Sequence, residues 1–291
     1  MLLVQLTGCL GTQMFQYAVV RNFSLVFNCK FLLDCSLILR GLKSRPNESL
    51  LPLSGFNTTI QIAGSAIVNN FTKHQGVSSL LRFPEVKHYK VINESKQPVN
   101  SNFIYTVSPP ALLKGNFQDE SYFKEHISEM ISDFTLKDVF KIEIDVISQN
   151  WQLEKSIGVI FTLPKTNNLP IDSDESINLN YYHAAIAYFS QEFPLTKFVF
   201  FTNLSETEIE ANFGDINKSV FELYDGTMQW KNLALISKCM HLIAEDTAIS
   251  WWAAWLNNGT NTTVVIPHNF SFKKPELTHK IKGVLQNWIK M

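Results

Sequence analysis

The chain has 291 residues, 45% of them hydrophobic, which is enough to bury the cores of two domains without covalent staples. Its 25 Lys and Arg against 26 Asp and Glu give a formal net charge of -1, so the clustered basic excess that DNA, RNA or an anionic membrane would require is missing. Four cysteines with no C-x-x-C pair and seven scattered histidines with no H-E-x-x-H support neither a zinc site nor a redox motif.

The first predicted element is a strand, Leu2 to Leu6, that stops at a turn containing Gly8 and Gly11. A helix follows, with Phe15, Ala18, Val19, Phe23 and Val26 on one face. A strand meeting a helix through a glycine turn is a common phosphate cradle, because free N–H groups and the positive end of the helix dipole converge there. The spacing G-x-x-G differs from the dinucleotide fingerprint G-x-G-x-x-G, and alone it is a weak signal. A second strand runs from Lys30 to Asp34. Between about 40 and 110, Pro46, Pro52, Pro84, Pro98, Pro109 and Pro110 interrupt any long element, and no topology is assigned. A helix is expected from Asp119, with Phe123, Ile127, Met130, Ile131 and Phe134 on its inner face, then a short connection from Lys141 to Trp151.

The second half alternates regularly. "IGVIFTL" from Ile157, "KFVFFTN" from Lys197, "SVFELY", "HLIAE" and "TVVIP" from Thr263 read as strands. Helices are expected around Tyr182 to Phe189, Trp230 to Lys238 and "ISWWAAWLN", with a last helix from Leu277 to Lys290 packing back across a cleft. Short apolar strands separated by helices predict a parallel sheet covered on both faces. The expected fold class is α/β, with a division near residue 150.

No apolar run reaches the roughly 18 to 20 residues of a membrane helix, and the N-terminus lacks the basic start and cleavage site of a signal peptide. The chain therefore reads as cytoplasmic, with no integral membrane segment. The alternative, a Golgi or secretory lumen, rests on ten Asn-x-Ser/Thr sequons, at Asn22, Asn47, Asn57, Asn70, Asn93, Asn203, Asn217, Asn258, Asn261 and Asn269.

Three stretches carry a family resemblance: "LGTQMFQYA" (Leu10 to Ala18), "LKGNFQDESYF" (Leu113 to Phe123) and "AEDTAISWWAAWLN" (Ala244 to Asn257). In this order and at these distances they resemble glycosyltransferase family 11, the alpha-1,2-fucosyltransferases. The resemblance implies a GT-B-like α/β fold of two Rossmann-like domains facing a cleft, 1–150 and 151–291, with GDP-fucose as donor, inverting transfer to a galactose 2-hydroxyl of a glycan acceptor, no metal cofactor, and donor binding mainly by the second domain. It makes Gly11, Gln13, Gln118, Thr202, Asn203, Glu245, Asp246, Thr247 and Ser250 the donor-binding candidates. The opening turn corresponds to the family's G-G-L-G-N-Q, with Cys9 and Thr12 in place of a Gly and the Asn.

The family's H-x-R-R-x-D-Y motif, on the first strand of the second domain, is replaced by "VIFTLPKT". Ile160 stands for its His, Thr162 and Leu163 for its two Arg, and Lys165 for its Asp. The family's S-D-D reads Thr202, Asn203, Leu204, an acidic residue reads Asn232, and N-S-T reads Asp246, Thr247, Ala248. The loss matters because cleavage of GDP-fucose leaves negative charge on a diphosphate, which guanidinium groups stabilise permanently and bidentately. Removing one preorganised donor to a developing anion costs roughly 3 to 4 kcal/mol. Lys165, Arg21, Lys231 and Lys238 are the cations available to compensate.

Trp251, Trp252 and Trp255, at helical spacing, read as core rather than as a stacking platform, and His241, inside an apolar strand, as a core histidine. Asp246-Thr247 is equally a helix N-cap. Asp119, Glu120 and Glu245 are the carboxylates available as base for the acceptor proton, and the sequence does not choose among them. Two functions stand side by side: a fucosyltransferase or transferase with altered donor, and a catalytically degenerate member that binds a glycan or partner protein.

Overall fold

The apolar run at the start of the chain is an enclosed strand in a computed structural model that describes residues 1–39, 51–72, 89–94, 107–162, 179–224, 226–257, 259, 261–275 and 285–291. The chain divides into two compact units, Met1–Thr135 and Leu136–Met291. The first holds β1 (Leu2–Gln5), β2 (Phe31–Asp34), β3 (Lys90–Asn93) and β4 (Ala111–Lys114), all parallel and ordered β2-β1-β4-β3. Helix α1 (Leu10–Val26) covers this sheet, with Met14, Phe15, Ala18, Val19 and Phe23 fully buried. Gly8 makes the turn between β1 and α1 at φ +69°, a conformation that side chains with a Cβ rarely adopt. Gly11 lies inside the first helical turn.

Where the prolines left the topology unassigned, the described residues add helix α2 (Ser65–Thr72) and β3. Phe71 of α2 packs with Leu3, Ala63 and Leu112. The helix expected from Asp119 opens instead as two 3-10 turns, Glu120–Tyr122 and Lys124–His126, before α3 (Ile127–Asp133). Asp119 caps the first turn by accepting from Ser121 N at 2.9 Å, a local bond that competes with a regular helix.

The second unit begins with a helix, α4 (Asp138–Trp151), where a short connection was expected. Exposed Val139, Ile142 and Val146 obscure its apolar pattern, while Ile144 and Ser148 form its buried side. The helix belongs with the residues that follow it, so the units meet at 135/136 where the sequence suggested 150. Six parallel strands come next: β5 (Ser156–Phe161), β6 (Lys197–Thr202), β7 (Lys218–Glu222), β8 (His241–Ile243), β9 (Asn261–Ile266) and β10 (Leu285–Lys290). Their order is β10-β9-β8-β5-β6-β7. The intervening helices are α5 (Leu179–Glu192), α6 (Glu206–Phe213), α7 (Gln229–Ile236) and α8 (Ala248–Leu256).

Every residue of β5 is buried, as expected for a central parallel strand with both faces covered. On one face Val159, Phe161, Phe198 and Phe200 pack against Tyr181, Tyr182, Ala185 and Phe189 of α5. A Cβ at Gly158 would come within 2.8 Å of Cys239 Sγ, so glycine there permits the close approach of the loop before β8. On α8, Trp251, Trp252 and Trp255 are all at or below 1% exposure and meet ring against ring. The expected C-terminal helix is corrected: Leu285–Lys290 is a strand, paired in register with Asn261–Ile266 of β9. A helical spacing of apolar residues in so short a segment yields to the backbone hydrogen bonds that an open sheet edge offers.

Candidate functional site

In an open parallel sheet, ligands gather beyond the carboxyl ends of the strands, at the point where the strand order reverses. In the C-terminal unit the chain runs outward from β5 through β6 to β7, then returns to place β8 on the other side of β5. The reversal therefore lies between β5 and β8. Thr162 leaves β5 there, and Glu245 leaves β8. They are joined: Thr162 Oγ1 lies 2.8 Å from Oε1 and 2.9 Å from Oε2 of Glu245.

This edge is braced from below by α5. Tyr181 OH sits 2.7 Å from Ala244 O and 2.8 Å from Val265 O, and Tyr182 OH donates to Ile160 O at 3.0 Å. Burial holds both phenols far above their ordinary range, so they remain neutral donors. The N-terminus of α8 completes the cluster. Thr247 is its N-cap, accepting from Ser250 N at 3.3 Å, and Ser250 Oγ accepts from Glu245 N at 3.2 Å. Thr162, Glu245, Thr247 and Ser250 thus form one hydrogen-bonded chain across the reversal point. Asp246 is committed to the loop after β9, accepting from Ser271 N at 2.8 Å and Ser271 Oγ at 2.6 Å.

Glu245 is the electrostatic centre of the cluster. Burial pushes its carboxyl up to about 7, against the lowering effect of the Thr162 hydrogen bonds and with a further rise from Asp246. Among the described residues, no Lys, Arg or His pairs with it.

The cations expected to replace the missing arginines are engaged elsewhere. Arg21 pairs with Asp133 at 2.9 Å, an oxygen that also accepts from Tyr17 OH. Lys231, with a side chain only 10% exposed, pairs with Glu143 and lies 5.1 Å from the Tyr224 ring centroid. Lys238 pairs with Asp145 at 3.1 Å and lines a 640 Å³ cavity with His241, Asn261 and Thr262, at the opposite, amino edge of the sheet. Leu163 and Lys165 lie outside the described residues.

The remaining candidates have local partners. Ile160 is a buried β5 residue. Thr202 Oγ1 accepts from Leu204 N at 3.1 Å at the end of β6, and Asn203 is exposed beside it. Asn203, Leu204, Ser205, Glu206, Val220 and Glu222 line a 390 Å³ cavity, which two carboxylates make unsuited to phosphate. Asn232 clamps Tyr224, accepting from its N and donating to its O, both at 2.8 Å. An aspartate there would lack the donor.

In the N-terminal unit the strand order reverses between β1 and β4, and the side chain that spans the gap is Gln16. Its amide accepts from Thr7 N at 2.9 Å and donates to Thr7 Oγ1 at 2.7 Å and to Gly115 O at 2.9 Å. Glu94 Oε2 accepts from Asn116 N and Phe117 N, both at 2.8 Å, and so shapes the loop that carries Gln118 and Asp119. Gln13 is 2% exposed and donates to Gly8 O. Sequence reasoning named Gln13 and missed Gln16 and Glu94, whose roles depend on partners 99 and 23 residues away.

His241 is buried in β8, its Nδ1 accepting from Thr263 N at 3.0 Å, and burial lowers its basicity. Asn22 of the first sequon is fully buried, donating to Tyr122 O at 3.2 Å and meeting His126 Nδ1. Among the described residues, no helix is long and apolar enough to cross a membrane, and no group of three or more His, Cys, Asp or Glu is placed to hold a metal ion.

Comparison with known proteins adds a likeness over part of the chain to one family and over most of it to two relatives. The model of glycosyl transferase family 11 matches residues 171–291. The O-antigen biosynthesis glycosyltransferase WbnK of Escherichia coli is 24% identical, over 98% of this chain and 99% of its own. An Escherichia coli alpha-1,2-colitosyltransferase is also 24% identical, over 99% of this chain and 97% of its own. Among solved structures, fucosyltransferase NodZ from Bradyrhizobium aligns with 12% identity and a TM-score of 0.48, over 88% of this chain and 93% of its own. The chain is thus similar to glycosyl transferase family 11 over residues 171–291, and to the two Escherichia coli transferases over nearly its whole length.

Proposed function

We propose that the protein is a glycosyltransferase acting on a nucleotide sugar and a glycan acceptor, and that its reaction is transfer of fucose from GDP-fucose to a galactose 2-hydroxyl. The observation that carries this reading is the polar chain Thr162, Glu245, Ser250, Thr247 at the strand-order reversal of the C-terminal sheet. Thr247 and Ser250 also cap α8, so the functional weight falls on the Thr162–Glu245 bond, which no secondary-structure element requires. Glu245, whose carboxyl is pushed up to about 7, is suited to exchange a proton near neutral pH, so it is the base candidate this edge supports. The name of the colitosyl relative supports the alpha-1,2 linkage and leaves the donor sugar open. A cytoplasmic setting is supported by four free thiols and by the burial of the Asn22 sequon.

The second reading, a degenerate member that binds without turnover, is favoured by one observation. Arg21, Lys231 and Lys238 are all ion-paired away from this edge. Melting with millimolar GDP or GDP-fucose, together with GDP release in the presence of a galactoside, separates the two. A ligand at 100 times its Kd adds about 2.7 kcal/mol to stability. A shift with GDP-fucose and acceptor-dependent GDP release support the transferase. A shift without release supports the binding protein, and neither shift nor release contradicts both readings of the donor site.

A further inference from the structure

The cavity at the amino edge of the C-terminal sheet has no part in the proposed reaction. Its volume, 640 Å³, is that of a small-molecule site. His241 opens β8 there and Glu245 follows the end of the strand, so four residues, about 13 Å of extended chain, separate this cavity from the carboxyl edge. We infer that the cavity is a second binding site, for a neutral saccharide, in which Glu154, Asn261 and the Nε2–H of His241 meet sugar hydroxyls and the Phe193 ring meets the apolar face of a pyranose. This site is independent of the proposed reaction, which is assigned to the other edge of the sheet.

Two independent features of the wall point to a ligand. The first is an unfinished hydrogen bond. Thr263 N donates to His241 Nδ1 at 3.0 Å, so the proton of the neutral ring lies on Nε2. Burial disfavours the charged form and keeps the ring neutral. His241 is only 4% exposed, and among the described residues its Nε2 has no hydrogen-bond partner. A buried donor is nearly always paired, and this one belongs to a residue lining a cavity large enough to hold its partner. The second feature is the chemistry around it. Glu154 and Asn261 are exposed lining residues, and among the described residues neither side chain has a partner. Phe193 is half-buried and packs on the imidazole, with ring centroids 4.5 Å apart. A sugar hydroxyl donates and accepts at once, so it suits a wall that mixes an imidazole N–H, a carboxylate and an amide, and an aromatic ring beside them suits the C–H face of a pyranose. A phosphate or a nucleotide fits less well. Among the described residues, the cation lining the cavity is Lys238, whose charge is paired with Asp145, and Glu154 repels an anion.

The test is NMR of the full chain with D-galactose, L-fucose, lactose and inorganic phosphate as separate probes, each at up to roughly 0.1 M. At least one sugar is expected to shift the His241 Nε2–H signal and the amides of Lys238 to His241, Asn261 and Thr262, with a millimolar Kd. Glu154→Ala and Asn261→Ala are each expected to weaken that sugar by about fivefold. Both side chains are exposed, so melting should stay at the parent value. His241→Phe keeps an aromatic ring, removes the donor and is expected to abolish binding. It also strips Thr263 N of its acceptor, so the two exposed variants carry the test if it fails to fold.

The assignment is overturned if no sugar shifts those signals, which would leave water as the partner of Nε2, or if phosphate shifts them and the sugars do not. Sugar-induced shifts confined to Thr162 and to Ala244 to Ser250 also overturn it, and leave the proposed function standing. Parent affinity retained in both exposed variants would remove Glu154 and Asn261 from the site, and the saccharide assignment with them. Sugar shifts at the cavity with no response to GDP-fucose at the carboxyl edge would support this site and count against the proposed function alone.

Discussion

Thr162 and Glu245, 83 residues apart in sequence, share a hydrogen bond across the strand-order reversal of the C-terminal sheet. The pair predicts a pH dependence of stability. Burial raises the Glu245 carboxyl from an ordinary 4.5 to about 7, so the folded state holds a proton that the unfolded chain would release. The stabilisation is therefore fully present below about pH 4.5 and is lost as pH rises through about 7. Chemical denaturation of the parent should show this site contributing a fall of about 3 kcal/mol over that window. Glu245→Gln should lack that fall. An identical slope in parent and variant would mean that Glu245 titrates normally.

Restoring one arginine should not restore a phosphate site. In Thr162→Arg the new guanidinium would meet the Glu245 carboxyl directly, and its charge would be neutralised there. GDP affinity should change little in that variant, and adding Glu245→Gln should raise it about tenfold beyond the effect of Glu245→Gln alone, a non-additive coupling of about 1.4 kcal/mol. The same logic applies to the full restoration Ile160→His, Thr162→Arg, Leu163→Arg, Lys165→Asp, which should gain GDP affinity before turnover. Strictly additive effects in calorimetry would show that positions 162 and 245 do not share a ligand.

Tyr181 fastens the carboxyl ends of β8 and β9 with one buried hydroxyl. Tyr181→Phe should cost about 1 to 3 kcal/mol, because Ala244 O loses a buried donor while Val265 O keeps only the Ala244 N–H at 2.8 Å. It should also loosen the segment around Ala244 and Glu245, seen as faster amide exchange there than at β6. Unchanged stability would mean that the carbonyls find other donors.

Trp252 is 0% exposed, with Trp251 and Trp255 rings at 4.9 and 5.0 Å. Trp252→Ala should therefore destabilise the fold by roughly 3 to 5 kcal/mol. Intact melting with lost ligand binding would place it in the site instead.

Periodicity made much of the fold legible, because β5, β6, β8 and β9 are continuous apolar runs bounded by polar loops, and α5 and α8 keep helical spacing. Where a pattern had two solutions, sequence did not decide. Leu285–Lys290 takes its strand form from pairing with β9, and α4 hides its inner face behind exposed Val139 and Ile142. The site was legible only as residue types. Glu245 and Thr162 stood out through family comparison as a candidate and a loss, but their bond depends on β8 returning beside β5. The strand order that brings them together is a long-range property that neither residue's neighbours encode. Nor did sequence reveal that Lys231 and Lys238 are held by Glu143 and Asp145 of α4, since that helix was not expected.

We place the ligand of the proposed reaction at the carboxyl edge of the C-terminal sheet, over Thr162 and Glu245. Amide hydrogen exchange of the full chain with and without saturating GDP-fucose tests it most directly. Slowed exchange is predicted at Ile160 to Thr162, Thr202 to Leu204 and Ala244 to Ser250, with the amino-edge segment Ser237 to Met240 unchanged. Protection at Ser237 to Met240 and Asn257 to Thr262, with none around Glu245, would contradict it and move the site to the cavity lined by Lys238 and His241.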